Sequence, residues 1–105
     1  MTDEERFTEV SKRLMIAGDI RSALSDNPAE IIHHIYRRLN NPGRILDPYN
    51  IVPLTANEHG DVHNNMIEIV ESGGVVFCLD RRWDRVVQFR LYLDDFRRAW
   101  KKALE

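Results

Sequence analysis

All four histidines of this chain fall between Ile31 and Asn64, as an adjacent pair, His33 and His34, and as a second pair, His59 and His63, spaced i, i+4. Two imidazoles four residues apart on a helix lie on one face about one turn apart, so both can reach a single metal ion. Between the pairs, from Asn40 to Asn50, the segment NNPGRILDPYN is so dense in turn residues that it must be a loop. The single cysteine, Cys78, excludes an internal disulfide framework and any zinc knuckle built from paired cysteines. If a metal is held, histidine has to hold it.

The rest of the chain reads as alternating helix and strand. Thr2 and Glu5 make a capping-box pattern, and Phe7, Val10 and Leu14 repeat at helical spacing until Gly18. Asp19 to Leu24 is a candidate second short helix, and Ser25 to Pro28 is a break of turn residues. Ala29 to Leu39 reads two ways. Asn27 as N-cap, Pro28 at N1 and the stripe Ile31, Ile32, Ile35 and Leu39 describe a helix, whereas the β-branched residues around the histidine pair suit a strand with one histidine on each face. Ile51 to Leu54 is a short strand, with Pro53 placing it at an edge or bulge.

Thr55 and Glu58 form a second capping box, opening a helix whose Val62, Met66, Ile69 and Val70 face a core and which Gly73 and Gly74 end. Val75 to Leu79 and Val86 to Leu93 are two strands joined by the polar turn Asp80 to Arg85, the second presenting Val87, Phe89, Leu91 and Leu93 on one face. Asp94 or Asp95 caps a final helix through Phe96, Trp100 and Leu104. Trp83 and Trp100 are both expected in the core rather than as a base-stacking platform, Trp100 above all from its helical spacing to Phe96, and Cys78 is expected as an inert buried thiol.

A chain of 105 residues makes one domain, and 43 % hydrophobic with 30 % charged residues marks an ordinary globular composition. No apolar run is long enough to span a bilayer, and the acidic start MTDEE lacks the basic and apolar regions of a signal peptide, so the expectation is a cytoplasmic protein with no membrane partner. A net charge of −2 argues against tight nonspecific nucleic-acid binding but not against a local basic surface. Arginines do cluster, at Arg37, Arg38 and Arg44, at Arg81 to Arg90, and at Arg97 and Arg98 with two lysines.

Taken together, the central stretch is a histidine pair, a loop, an asparagine in DPYNIVPL sixteen residues after His34, and histidines nine and thirteen residues after that asparagine, in EHGDVH. In these features the chain resembles the HNH, or ββα-metal, nuclease family, in the variant of the colicin-type DNases and small phage or bacterial HNH endonucleases. The resemblance covers about a third of the chain, and the flanks match nothing recognisable. It implies an α+β fold with a ββα-metal core over residues 31–72, an N-terminal helical cover over 1–28, and a C-terminal β-hairpin plus helix over 75–105.

The resemblance further implies that His33, His59 and His63 ligate one divalent metal ion, Mg, Mn, Ni or Zn, while His34 acts as general base and Asn50 braces its loop. Arg37, Arg38 and Arg44 become candidates for DNA phosphate contacts, and the implied reaction is hydrolysis of a DNA phosphodiester bond. Three histidines leave an open position for a phosphate oxygen or water, and an imidazole can take a proton from water at neutral pH. Two other readings stand beside this one: a noncatalytic interaction module, such as a regulator or inhibitor on a degenerate nuclease fold, and a helical adaptor without metal. A protein partner or a homodimer fits any of the three.

Overall fold

A computed structural model describes all 105 residues, and its architecture is α+β, with three helices and two small antiparallel sheets. The first helix, α1 (Asp3–Ala17), starts where the Thr2 hydroxyl accepts from the Glu5 N–H and the Glu5 carboxylate accepts from the Thr2 N–H. It stops at Gly18, whose φ of 75° is left-handed. Residues 19–24, expected as a second short helix, instead fold back on residues 27–29. Ser22 N–H donates to the Asn27 carbonyl at 2.7 Å and Ala29 N–H to that of Ile20 at 2.9 Å. The reversal passes through Asp26 at a positive φ, so the backbone groups a helix would need are already paired.

The ambiguous segment is a strand. β1 (Ile31–His34) pairs antiparallel with β2 (Ile51–Leu54), Ile31 opposite Leu54 and His34 opposite Ile51. Glu30 N–H to the Leu54 carbonyl and Ile35 N–H to that of Asn50 extend the ladder by one bond at each end. Local helix signals at Asn27 and Pro28 lose because β2 lies in the core, Ile51, Val52 and Leu54 having no exposed surface, and its backbone must find partners there. Pro53 gives up no bond it needs on the outer side, where its carbonyl accepts from Ala23 N–H at 3.0 Å.

The helix opened by Thr55 and Glu58, α2 (Ala56–His63), is capped as its sequence indicates but ends much earlier than expected. Asn65 takes φ 59°, and Ile67 to Ser72 forms a strand, β3 (Ile67–Ser72), with Ile69 opposite Cys78 and Val70 opposite Phe77 of β4 (Val75–Asp80). Gly73 and Gly74, at φ 58° and 83°, are the two central residues of a hairpin turn and not a helix stop. Two adjacent glycines at positive φ suit the tight turn whose twist matches antiparallel strands. Met66, expected in the core, is exposed.

β5 (Val87–Leu91) completes a three-stranded sheet in the order β3-β4-β5. Of its expected inward face, Leu91 is buried, Phe89 is exposed at the sheet edge, and Leu93 is buried just beyond the strand. The last helix, α3 (Asp94–Leu104), has Leu93 at its N-cap without a side-chain bond. Asp94 and Asp95 lie in its first turn, where negative charge favours the helix dipole.

Successive residues of a strand face opposite ways, so the β1–β2 hairpin serves two cores at once. Ile32 and Ile51 join Phe7, Val10, Phe96 and Trp100 under α1 and α3, whereas Val52 and Leu54 join Ile69, Val76 and Cys78 of the three-stranded sheet. Burial, and secondarily Asp80, push the Cys78 thiol up to about 11, which keeps it protonated and inert. Trp83 departs from expectation. It lies in the β4–β5 loop and is 69 % exposed, since that loop presents no face to either core. No helix is long and apolar enough to cross a membrane.

Trp100 has no exposed surface, stacks obliquely with Phe7 at 5.5 Å, and donates its indole N–H to the Leu46 carbonyl at 3.0 Å. Trp100→Ala should therefore lower unfolding free energy by about 3–5 kcal/mol, read as a fall in the urea midpoint. Trp83→Ala should move it by no more than about 0.5 kcal/mol.

Candidate functional site

Asn50 is wholly buried at the end of a short 3-10 turn, Pro48–Asn50, that leads into β2. Its Oδ1 accepts from the Tyr36 N–H at 2.8 Å, and its Nδ2 donates to the carbonyls of Tyr36 at 3.2 Å and Arg44 at 3.1 Å. With its own carbonyl taking the Ile35 N–H, it ties both ends of the long loop between β1 and β2. A buried amide with three partners leaves one capacity unused, which makes it a well-satisfied clamp.

The clamp sets the carbonyl that meets His34. Three consecutive carbonyls, those of Arg44, Ile45 and Leu46, accept from Asn50 Nδ2, His34 Nε2 and Trp100 Nε1. His34 Nε2 lies 3.0 Å from the Ile45 oxygen. A carbonyl only accepts, so Nε2 carries the proton and Nδ1 keeps a lone pair. The ring also packs against Phe7, with centroids 4.5 Å apart. Burial lowers the pKa of His34 and the Ile45 bond opposes it, with the net shift downward.

His33, one residue earlier, faces α2. Its ring centroid is 5.4 Å from that of His59, which in turn is 4.5 Å from that of His63. Burial, followed by the nearby histidines His59, His34 and His63, lowers His33 to about 4, and burial followed by His63 lowers His59. Both rings are thus held neutral near pH 7, the form that can donate a lone pair. All four histidines line a single cleft of about 920 Å³.

Of the three arginines singled out in the sequence, the structure brings two to this cleft. Arg37 and Arg38 line it, and the Arg38 guanidinium stands 5.8 Å over the Phe7 ring. Arg44 does not reach it. Its Nε pairs with Asp47 at 2.9 Å and its guanidinium covers the Tyr36 ring at 4.9 Å, because the turn that ends at Arg44 directs it along the loop. Sequence reasoning missed Arg81 and Glu68, which line the cleft and pair with one another. The missing signal was the strand β3, since a helix through residue 72 puts Glu68 elsewhere.

No three His, Cys, Asp or Glu side chains stand in a metal-coordinating arrangement. The donor type nevertheless suits a divalent metal, since neutral imidazole is a common ligand. Nitrogens at about 2.1 Å from a tetrahedral ion put imidazole centroids about 5 Å apart, close to both observed separations.

No protein-family model matches this chain, and comparison with curated proteins and with solved structures gave no match.

Asn50→Ala should leave the Tyr36 N–H and two carbonyls unpaired and lower stability by about 1–3 kcal/mol or more. Amide exchange should speed up at Tyr36 and its loop neighbours ahead of β3 to β5, as hydrogen-exchange NMR would read. Arg44→Ala, which removes a half-exposed ion pair, should cost no more than about 1 kcal/mol.

Proposed function

We propose that this protein is a metal-dependent DNA endonuclease of the HNH, or ββα-metal, type, hydrolysing phosphodiester bonds with a histidine general base. The observation that carries this reading is the convergence on one cleft of His33 from β1 with His59 and His63 from α2, beside a His34 whose ring is fixed by the Ile45 carbonyl. In this reading the first three would hold one divalent ion, Mg, Mn, Ni or Zn. Such an ion would supply Lewis-acid stabilisation of the negative charge that develops at the reacting phosphate.

The chain's own groups account for the rest. His34 Nδ1 takes the proton of the attacking water, and the Ile45 carbonyl, already bonded to Nε2–H, stabilises the imidazolium that results. Arg37 and Arg38 flank the cleft where a phosphate of the bound strand would lie, and either can grip two of its oxygens. Asn50 touches no substrate in this scheme and acts by holding the loop. A net charge of −2 confines attraction for DNA to this basic margin, so binding should weaken with salt. A cytoplasmic location accompanies this reading.

A second reading, a noncatalytic interaction module on the same fold, draws support from the finding that no three His, Cys, Asp or Glu side chains are arranged to hold a metal ion. A plasmid assay separates the two. With Mg²⁺, Mn²⁺, Ni²⁺ or Zn²⁺, the wild type should nick or linearise supercoiled DNA, and His34→Ala should cut about 10²- to 10⁴-fold more slowly while still binding metal. Intact plasmid across all four metals would leave the module reading in its place.

A further inference from the structure

Two cations of α3, Arg97 and Lys101, stand together over one aromatic ring without a counter-ion. The Arg97 guanidinium lies 4.4 Å and the Lys101 ammonium 5.3 Å from the centroid of the Tyr49 ring. Spaced i, i+4, they share one face of the helix with Cβ atoms about 5–6 Å apart, a placing at which like charges repel. Neither forms an ion pair, whereas Arg98 on the adjoining face is paired with Asp95. Arg97 Nε is moreover buried with no hydrogen-bond acceptor. None of Tyr49, Arg97 and Lys101 lines the histidine cleft.

The acidic groups around the pair are already engaged. Asp47 accepts from Arg44 Nε at 2.9 Å and from the Tyr49 N–H at 2.9 Å. Glu71 is held ionised first by the Gly74 N–H at 2.8 Å and then by the Tyr36 hydroxyl at 3.1 Å, with Arg44 and Arg97 adding less, and it forms no ion pair. Since Arg44 and Asp47 cancel, Glu71 offsets only one of the two charges on α3. A place in the last turn, beside the negative end of the helix dipole, accounts for Lys101. It does not account for Arg97, one turn earlier.

We infer that Arg97 and Lys101, set over Tyr49, form a binding site for a phosphate group. A guanidinium held over a ring leaves its Nη edge open for two oxygens of an oxyanion, and the ammonium beside it can take a third. A phosphate with a terminal or free group carries a charge of about −1.5 to −2 at pH 7 and three acceptor oxygens, which suits two cations. A carboxylate brings one charge and two oxygens. The ring fixes both cations before a ligand arrives, which limits the ordering cost of binding. Free phosphate and the terminal phosphate of a DNA end share this chemistry, and the site stands whether or not the chain cuts DNA.

The test is a titration of the full chain with inorganic phosphate, at ionic strength held constant with chloride, followed by NMR on the Arg97 Nε–H and the Tyr49 ring. Both signals should shift and saturate. Read on the Tyr49 ring, Arg97→Gln and Lys101→Gln should each weaken binding about 10-fold or more, whereas Lys102→Gln, on another face of the helix, should change it little. Acetate should act only at far higher concentration. A 5′-phosphorylated oligonucleotide that saturates the shifts at lower concentration than phosphate, where its unphosphorylated counterpart does not, supports the site and assigns the ligand to DNA ends. Equal action of the two oligonucleotides beside saturation by phosphate supports it with free phosphate as the ligand. Shifts that never saturate, that acetate or chloride reproduces at equal concentration, or that Lys102→Gln weakens as much as Arg97→Gln does, would overturn the inference and leave two cations that only cover Tyr49.

Discussion

Three consecutive carbonyls, of Arg44, Ile45 and Leu46, hold the centre of this molecule together. One accepts from the buried amide of Asn50, the next from the ring of His34, and the third from the indole of Trp100. Each donor comes from a different place: the root of β2, the end of β1, and α3. A short irregular stretch thus becomes the point where hairpin, loop and final helix are locked to one another. Unpaired buried N–H and C=O groups are costly, so the three bonds reinforce one arrangement and penalise any slip of the loop.

The second constraint is the alternation of side chains along β1. Because Ile32 and His34 face α1 and α3 while Ile31 and His33 face α2 and the sheet, neighbouring histidines are given different surroundings by one residue of separation. One is fixed by a carbonyl and a phenyl ring. The other is brought against His59 of α2, which in turn meets His63 at i, i+4. The division of tasks proposed for the pair draws on this difference, His34 being bonded through Nε2 to a carbonyl and His33 facing His59.

Much of this was legible in the residues. Both capping boxes, at Thr2 and Thr55, begin helices where their spacing says, and the density of turn residues in NNPGRILDPYN does mark a loop. The conflict over residues 29–39 was not resolvable locally, because the deciding partner, β2, lies some twenty residues on. The over-long α2 came from reading Val62, Met66, Ile69 and Val70 as one helical stripe. Asn65 and the paired glycines at 73 and 74 carried the contrary signal, a helix stop and a hairpin turn. For the site, the histidines were visible by spacing, whereas Arg81 and Glu68 reach the cleft only through strand pairing. Exposure of Trp83 was invisible for a similar reason, since a loop residue has no periodicity to betray which way it faces.

The central claim is that His33, His59 and His63 act together as one metal site. The most direct test counts metal by calorimetric titration of the metal-free protein with Zn²⁺ or Ni²⁺, for the wild type and for the double variant His59→Ala/His63→Ala. The account predicts one ion per wild-type chain and none for the variant at the same concentrations. A wild type that takes up no ion, or a variant that binds as the wild type does, would contradict it.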